Sequence, residues 1–270
     1  MDKLYKIFRE VEEDLKFIAT SGVRIKMLNS LLEKPKTSSE LKDEFKIGAS
    51  TIIHAARDLE REGYITEKID GYHLTLIGKI TALKLIEFVK TLYTLKKGKE
   101  FWLTHVIDDL PEEFAREIYK LYNHEILTSS VRNVFKTLSI YVELAKKSKH
   151  FWGVSPIFVD IFVSLIKKLA GRNADIRLVL TKDVFEELKK RHGDVLNEVF
   201  PKVELWIIDE EPKVAFTVTE SFLSFGLFDE KGMYDPTHDL ISRDKEAIEW
   251  GRKLFEYYKS KARKATLEDI

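Results

Sequence analysis

The segment TSSELKDEFKIGASTIIHAARDLEREGYITEKIDGYHLTL, residues 37–76, carries the strongest fold signal in the chain. Residues 37–40 have the spacing of a capping box, in which the first and fourth side chains cap each other's backbone at a helix start. Residues 47–50 then supply a turn, and from there to about residue 62 apolar side chains recur every three to four positions. The segment therefore predicts two short helices separated by a tight turn.

A hairpin follows these helices. Gly63 suits the left-handed position just after a helix C-terminus, and Asp70-Gly71 is a dipeptide that tolerates the positive φ of a tight hairpin turn. It joins two short runs, 64–68 and 72–76, whose composition favours strands. Together with an amphipathic helix on each side, residues 23–96 predict a winged helix-turn-helix in which the hairpin is the wing.

The second helix of the predicted pair buries one face and leaves the other free. In a winged helix that free face enters the major groove of DNA, and the wing contacts the adjacent backbone. The residues expected to bind DNA are Ala49, Ser50, Thr51, Ile53, His54, Arg57, Lys68, Tyr72 and His73. The alternative is that this surface docks on another protein.

Local charge disfavours DNA binding by a single copy. Residues 36–73 contain eight acidic and six basic side chains, whereas neutralisation of phosphates dominates the affinity of such modules. Two copies on a palindromic site would double the contacts and match the symmetry of the DNA. We therefore expect a homodimer, and an N-terminal amphipathic helix, residues 4–19, either packs on the winged helix or forms the dimer contact.

The whole chain suits two domains, because 270 residues are too many for one winged helix. A glycine with flanking lysines, at 96–99, reads as a helix stop and linker. We predict a winged-helix domain at 1–98 and an α/β domain at 99–270. The chain lacks cysteine, which excludes disulfides and thiol nucleophiles, and no apolar run approaches the length that spans a bilayer. We expect a cytoplasmic protein without membrane contact.

The second half alternates predicted strands and helices, which indicates a mixed sheet covered on both faces. The last two strands, 214–218 and 222–227, are joined by a short connection and should pair antiparallel. Aromatic side chains at strand ends would line a small-molecule cleft, although aromatics on strands are more often core. The residues expected to bind a ligand are Trp152, Ser155, Arg177, Trp206, Phe216 and Phe225.

Catalytic motifs are missing from the sequence. It contains no glycine-rich phosphate loop, paired-histidine metalloprotease motif or nucleophile elbow. Asp235, His238 and Asp239 have residue types that ligate metals, but such a stretch is more often a turn stabilised by side-chain hydrogen bonds. His105 with Asp108 and Asp109 is ambiguous in the same way, and Asp109, just before Leu110-Pro111, is better explained as a helix entry. We expect no metal site, no cofactor and no enzymatic activity.

A family resemblance rests on motifs spread over the second half. They are WGVSP at 152–156, IRLVLT at 176–181, FGLFD at 225–229, GMYD at 232–235 and the Trp250-Gly251 helix at 247–255. In this order, behind a winged helix of the MarR or ArsR type, they resemble archaeal transcriptional regulators that carry a methanogenesis-regulatory-protein middle domain. That domain is similar to the phospholipase D fold, and the resemblance covers nearly the full chain.

The resemblance implies a fold without phospholipase activity. Phospholipase D enzymes use a His-x-Lys motif, and none of the seven histidines here is followed two residues later by lysine. The resemblance implies a DNA-binding transcriptional regulator, expected to be dimeric, whose second domain either senses a small molecule or mediates dimerisation. The alternatives are a protein-interaction adaptor and, less favoured, a phosphodiesterase-like enzyme.

Overall fold

A computed structural model describes residues 2–107 and 109–270, so Asp108 lies outside the described residues. Contacts divide the chain into a first unit that ends at Val89 and a second that begins at Lys90. The division falls within one long helix, and the boundary predicted from the sequence falls just beyond the end of that helix. No helix among the described residues combines the length and apolarity that a membrane span requires.

The first unit is a winged helix-turn-helix. Its elements are α1 (Asp2–Ala19), α2 (Gly22–Ser30), α3 (Ser38–Phe45), α4 (Ala49–Arg61), β1 (Ile65–Lys68), β2 (Gly71–Leu74) and the first part of α5 (Leu76–Lys97). The capping box is present at α3, where Thr37 Oγ1 accepts from the Glu40 N–H at 3.2 Å and Glu40 Oε2 accepts from the Thr37 N–H at 2.8 Å. Local sequence thus starts this helix where it was predicted to start.

The wing is anchored to the chain before α3. Strands β1 and β2 pair antiparallel, and Lys68 lies opposite Gly71, whose φ of 121° only glycine adopts readily. Lys36 and Tyr72 exchange backbone hydrogen bonds of 2.9 and 3.4 Å, which extends the ladder by one bridge. Helices α2, α3 and α4 close over a core of fully buried side chains that includes Met27, Leu28, Leu41, Ile52 and Leu59.

The second unit is an α/β domain. Its helices after α5 are α6 (Lys99–Thr104), α7 (Glu112–Arg116), α8 (Lys136–Ala145), α9 (Asp160–Gly171), α10 (Lys182–Val199) and α11 (Lys245–Ser260). Its strands are β3 (His105–Val106), β4 (His124–Thr128), β5 (His150–Ser155), β6 (Asp175–Thr181), β7 (Val203–Ile208), β8 (Val214–Thr219), β9 (Leu223–Asp229), β10 (His238–Ser242) and β11 (Arg263–Lys264). Short 3₁₀ turns lie at Ile118–Leu121, Phe200–Lys202 and Leu267–Asp269.

The sheet is mixed, as predicted. The strand order is β11-β7-β6-β5-β8-β9-β10-β4, and β3 pairs with β9 outside this path. Strands β5, β6 and β7 are parallel and the other neighbours antiparallel. The predicted antiparallel pair is β8 with β9. Strands β4 and β10 were not predicted, and the segment read as a turn before a helix continues into β10.

Helices cover both faces of this sheet. On one face α11 buries Trp250, Leu254 and Phe255, and the Trp250 indole N–H donates to the Phe114 carbonyl at 3.2 Å. On the other face α8, α9 and α10 pack over alternate strand residues such as Phe151 and Ile176. Because successive strand residues point to opposite faces, every inward position is assigned to one of two separate cores.

Candidate DNA interface and ligand cavity

Helix α4 presents most of the predicted DNA-binding residues to solvent. Ala49, Ser50, Thr51, His54 and Arg57 are exposed and Ile53 is half-buried, whereas the opposite face of the helix is buried. The N-cap residue of this helix is Gly48, which has no side chain that could cap it. The Thr51 N–H donates to the Gly48 carbonyl at 3.1 Å, and the N–H groups of Ala49 and Ser50 are open to an acceptor such as a phosphate oxygen.

Ion pairs occupy Lys36 and Arg61, two cations that a phosphate could otherwise meet. The Lys36 side chain is buried and donates to Ser30, Glu33 and Glu44 at 2.7, 3.0 and 2.9 Å, and its hydrogen bond lowers the pKa of Glu44. Arg61 is paired with its acidic neighbours on α4.

Between residues 45 and 74, which include α4 and the wing, three exposed cations have no ion pair among the described residues. They are Arg57 on α4, Lys68 on the wing and Lys46 in the turn between α3 and α4. The sequence analysis did not select Lys46. It is the C-cap residue of α3, in the left-handed conformation with a φ of 55°.

Tyr72 is a correction to the predicted DNA-binding set. Its side chain is 5% exposed and belongs to the core of the unit, because the bridge to Lys36 turns this strand position inward. His73, the next residue, is half-buried and its Nε2 lies 2.8 Å from Asp70 Oδ1, an interaction that lowers the pKa of Asp70. On the wing, Lys68 and the exposed edge of the His73 ring therefore remain accessible to DNA.

Two helices of the first unit carry large apolar side chains that are exposed in the described part of the chain. The exposed large side chains on α1 are Leu4, Tyr5, Ile7, Phe8, Val11 and Leu15, and those on α5 up to the unit boundary are Leu76, Ile77, Ile80, Leu83, Phe88 and Val89. Only the end of α1 packs inward, through Phe17 and Ile18. Contiguous exposed apolar surface of this kind marks a contact site.

The second unit contains a cavity of about 220 Å³ between the sheet and helices α8, α9 and α10. Its wall is mostly aliphatic and aromatic, with Leu138, Phe158, Phe162, Val195 and Leu205 among the lining residues. Tyr141, one of its few polar groups, is bonded to Thr217 by a hydrogen bond of 2.8 Å. A small apolar molecule fits such a site.

One charged group lines this cavity, the carboxyl of Asp239 on β10. Its Oδ2 accepts from the Ser224 hydroxyl at 2.8 Å, and its Oδ1 has no hydrogen-bond partner. Burial raises the pKa of Asp239 to about 7. An unsatisfied buried carboxyl oxygen costs free energy until a donor reaches it, so the cavity is suited to a ligand that carries one.

Most of the predicted ligand-binding residues lie on the face of the sheet opposite to the cavity. Trp152, Arg177, Trp206 and Phe225 lie on the side covered by α11, where Trp152 and Trp206 pack on Phe255, with ring centroids 5.5 and 6.3 Å apart.

Two further side chains of the predicted set sit closer to the cavity. Phe216 borders it, but its ring packs on Tyr258. Ser155 also lines it, and its hydroxyl donates to the Ile157 carbonyl at 2.8 Å. Ser155 and Phe216 are therefore the two predicted residues that line the cavity, and Asp239, which had been weighed as a metal ligand, joins them.

Metal-ligating side chains come together at one other place. Among the described residues, a single group of three, His105, Asp235 and His238, has one ligand atom from each within 4.8 Å of the others. The sequence analysis had noted all three residues but in separate clusters, because His105 lies far from the other two in the chain.

Two family models match the chain. The N-terminal domain of the methanogenesis regulatory protein FilR1 matches residues 12–93 and its middle domain matches residues 134–261. The methanogenesis regulatory protein FilR1 of Methanothrix harundinacea (strain 6Ac) is 26% identical over 272 residues, which cover 97% of this chain and 60% of that protein. The chain therefore spans less than two thirds of this relative.

Solved structures resemble the chain more loosely. The archaeal chromatin protein TrmBL2 aligns over 89% of this chain and 92% of its own, with 18% identity and a TM-score of 0.43. Nuc from Salmonella typhimurium, a phospholipase D family member, aligns over 53% of this chain and 98% of its own, with 8% identity and a TM-score of 0.42. At these values the similarity is too loose to support a functional assignment.

Proposed function

The chain carries the N-terminal and the middle domain of the FilR1 family of archaeal regulatory proteins, and from this premise we propose that it is a transcriptional regulator. It binds operator DNA as a homodimer through its first unit and senses a small molecule through its second. The observation that carries DNA binding is the exposed face of α4, which presents His54 and the unpaired Arg57 and whose N-terminus has no side-chain cap. That face has the shape and donors that a major groove requires.

DNA binding is tested by fluorescence anisotropy on duplexes from the region upstream of the chain's own gene, at two salt concentrations. Arg57→Ala is expected to weaken binding by about 1–3 kcal/mol, or roughly tenfold to a hundredfold, because it removes an exposed base or phosphate contact. Arg61→Ala is the matched control, since Arg61 lies on the same helix but is held by Asp58 and Glu62. Affinity should fall steeply with added salt.

The rival function is a protein-docking adaptor. It is favoured by the ion pairs of Lys36 and Arg61, because these pairs leave fewer cations to neutralise phosphates. It predicts a folded dimer that binds no duplex even at low salt. It also predicts that Arg57→Ala and Arg61→Ala behave alike. Binding that is selective, salt-sensitive and lost only in Arg57→Ala contradicts it.

We place the contact between the two copies of the homodimer on the apolar faces of α1 and α5. A second copy is the favoured occupant because two symmetric winged helices fit a palindromic site, and because an amphipathic helix pair covers itself when a two-fold axis brings two copies together. Ile80→Glu should convert the dimer to a monomer in light-scattering chromatography. Lys79→Glu, the exposed neighbouring position, should leave the mass unchanged, and a monomeric wild type would refute the placement.

The effector site is placed in the cavity that Asp239 lines. Its walls suit an alkyl or aryl body, and the free Oδ1 suits one amine or hydroxyl donor. Octylamine should raise the melting temperature of the wild type more than octanoate of the same length does, and Asp239→Asn should abolish the difference. Equal shifts from both compounds would remove Asp239 from the site.

A further inference from the structure

Three side chains meet at the edge of the second unit. His105 comes from β3, Asp235 from the connection between β9 and β10, and His238 from the start of β10. Asp235 Oδ2 lies 3.1 Å from His105 Nε2 and 2.7 Å from His238 Nδ1. The pairing of β3 with β9, and of β9 with β10, brings them together.

The contact of His105 Nδ1 shows which ring nitrogen of His105 carries the proton. His105 Nδ1 lies 2.7 Å from the Phe101 carbonyl, and a carbonyl oxygen only accepts, so Nδ1 carries the proton. In the neutral ring Nε2 then has a lone pair, which points at a carboxylate oxygen 3.1 Å away. A lone pair and a carboxylate oxygen at this distance repel each other unless a metal cation lies between them or the ring carries a second proton, and the His105 side chain is only 2% exposed.

The carboxylate is also held from behind. Asp235 Oδ1 accepts from the Thr237 N–H at 2.7 Å and from the Thr237 hydroxyl at 2.6 Å, which leaves Oδ2 directed at the two imidazoles. Hydrogen bonds that orient ligands from outside are the usual surroundings of a metal, and histidine ligands commonly donate their second N–H to a carbonyl. Both features are present here.

We propose that His105, Asp235 and His238 bind one divalent transition-metal ion with the ligand preferences of Zn²⁺. Two imidazoles and one carboxylate are a zinc donor set, and metal-ligand distances of about 2.1 Å place tetrahedral ligand atoms about 3.4 Å apart. The observed spacings of 3.1 and 2.7 Å need only a small expansion. Asp235 and His238 are 21% and 26% exposed, so a fourth position is open to solvent.

The ion would stabilise a segment that also borders the cavity. Tyr234 and Pro236 line the cavity, and Asp235 between them belongs to the metal group. The segment is tied to α8 and β4 by the hydrogen bond from the Thr137 hydroxyl to the Pro236 carbonyl, at 2.7 Å, and by that from the Ser129 N–H to the Thr237 carbonyl, at 2.8 Å. Metal binding would therefore order one wall of the cavity.

The test uses the full chain after treatment with EDTA and dialysis. Titration calorimetry with Zn²⁺ should show one saturable site, and Co²⁺ should give the visible absorption of a tetrahedral complex. His105→Ala and His238→Ala should each weaken Zn²⁺ binding at least about tenfold, since even the loss of an outer-shell partner costs that much. His192→Ala is the matched control, because His192 is 30% exposed and pairs with Asp160 at 2.8 Å outside the metal group.

Two results would overturn the proposal. One is the absence of saturable Zn²⁺ heat and of tetrahedral Co²⁺ bands, which would make the group a hydrogen-bonded imidazolium and carboxylate pair. The other is an equal affinity in wild type, His238→Ala and His192→Ala. If His105→Ala fails to fold, His238→Ala and Asp235→Asn decide, because both side chains are partly exposed.

Discussion

Asp239→Asn should stabilise the second unit at about pH 8 and have little effect near pH 4, because the pKa of the Asp239 carboxyl differs between the folded and the unfolded chain. Burial raises the pKa of Asp239 from 3.8 to about 7. Between these values the folded chain keeps the carboxyl proton and the unfolded chain loses it. The folded state binds more protons in that window, so the stabilising contribution is full below pH 3.8 and is lost as the pH rises through about 7.

The expected size follows from the width of the window. It spans about three pH units, and each unit is worth about 1.4 kcal/mol, which makes about 4 kcal/mol in total. Asparagine is neutral at every pH and has an oxygen that accepts from the Ser224 hydroxyl. The difference in free energy of unfolding, mutant minus wild type, should therefore grow by about 4 kcal/mol from pH 4 to pH 8.

Urea denaturation followed by tryptophan fluorescence measures this difference for the second unit. The four tryptophans, Trp102, Trp152, Trp206 and Trp250, all lie in the second unit, so the signal reports its unfolding. Asp209→Asn, at an exposed carboxyl, is the control and should give a flat difference. If the Asp239→Asn difference also stays constant within about 1 kcal/mol, Asp239 is ionised alike in both states and the argument fails.

Three further substitutions test the fold itself. Thr37→Ala removes the cap of α3 and should destabilise the first unit by about 1 kcal/mol, measured as a lower melting midpoint by circular dichroism. Gly71→Ala should cost more, about 1–3 kcal/mol, because φ is 121° and the new Cβ would lie 2.6 Å from the Lys36 backbone; an unchanged midpoint would mean that the wing is not bound to that segment. Trp250→Ala should lower the urea stability of the second unit by about 3–5 kcal/mol, and a loss under 1 kcal/mol would contradict its place in the core.

The winged helix was predictable because its signals are local. The Thr37 and Glu40 cap, the glycine after α4 and the Asp70-Gly71 turn each act within a few residues, and they agree with the apolar spacing of Ile52 and Leu59. Tyr72 was misassigned for the opposite reason. Its burial depends on a bridge to Lys36. The two residues are 36 positions apart in the sequence, and the residue pattern of the strand does not predict such a contact.

The second unit shows the limit of strand patterns. Alternation assigns Trp152 and Phe151 to opposite faces of β5, but both faces are covered by helices, and the pattern does not say which face contains the cavity. The aromatic residues favoured the face under α11, where large rings pack on Phe255 and Trp250. The cavity formed on the other face, where α8, α9 and α10 leave room beside Asp239.

The segment 234–239 was the most misleading part of the sequence, and the structure gives the reason. Its polar residues were read together as one turn, but β10 begins within it, and successive strand side chains alternate between two surroundings. His238 joins His105 and Asp235 at the edge of the sheet, while Asp239, one residue later, is buried in the cavity. A short extended segment thereby supplies polar groups to two separate places. Because one strand backbone carries both, a ligand that orders either site reduces the freedom of the other, and the binding free energies of ion and effector should be coupled reciprocally.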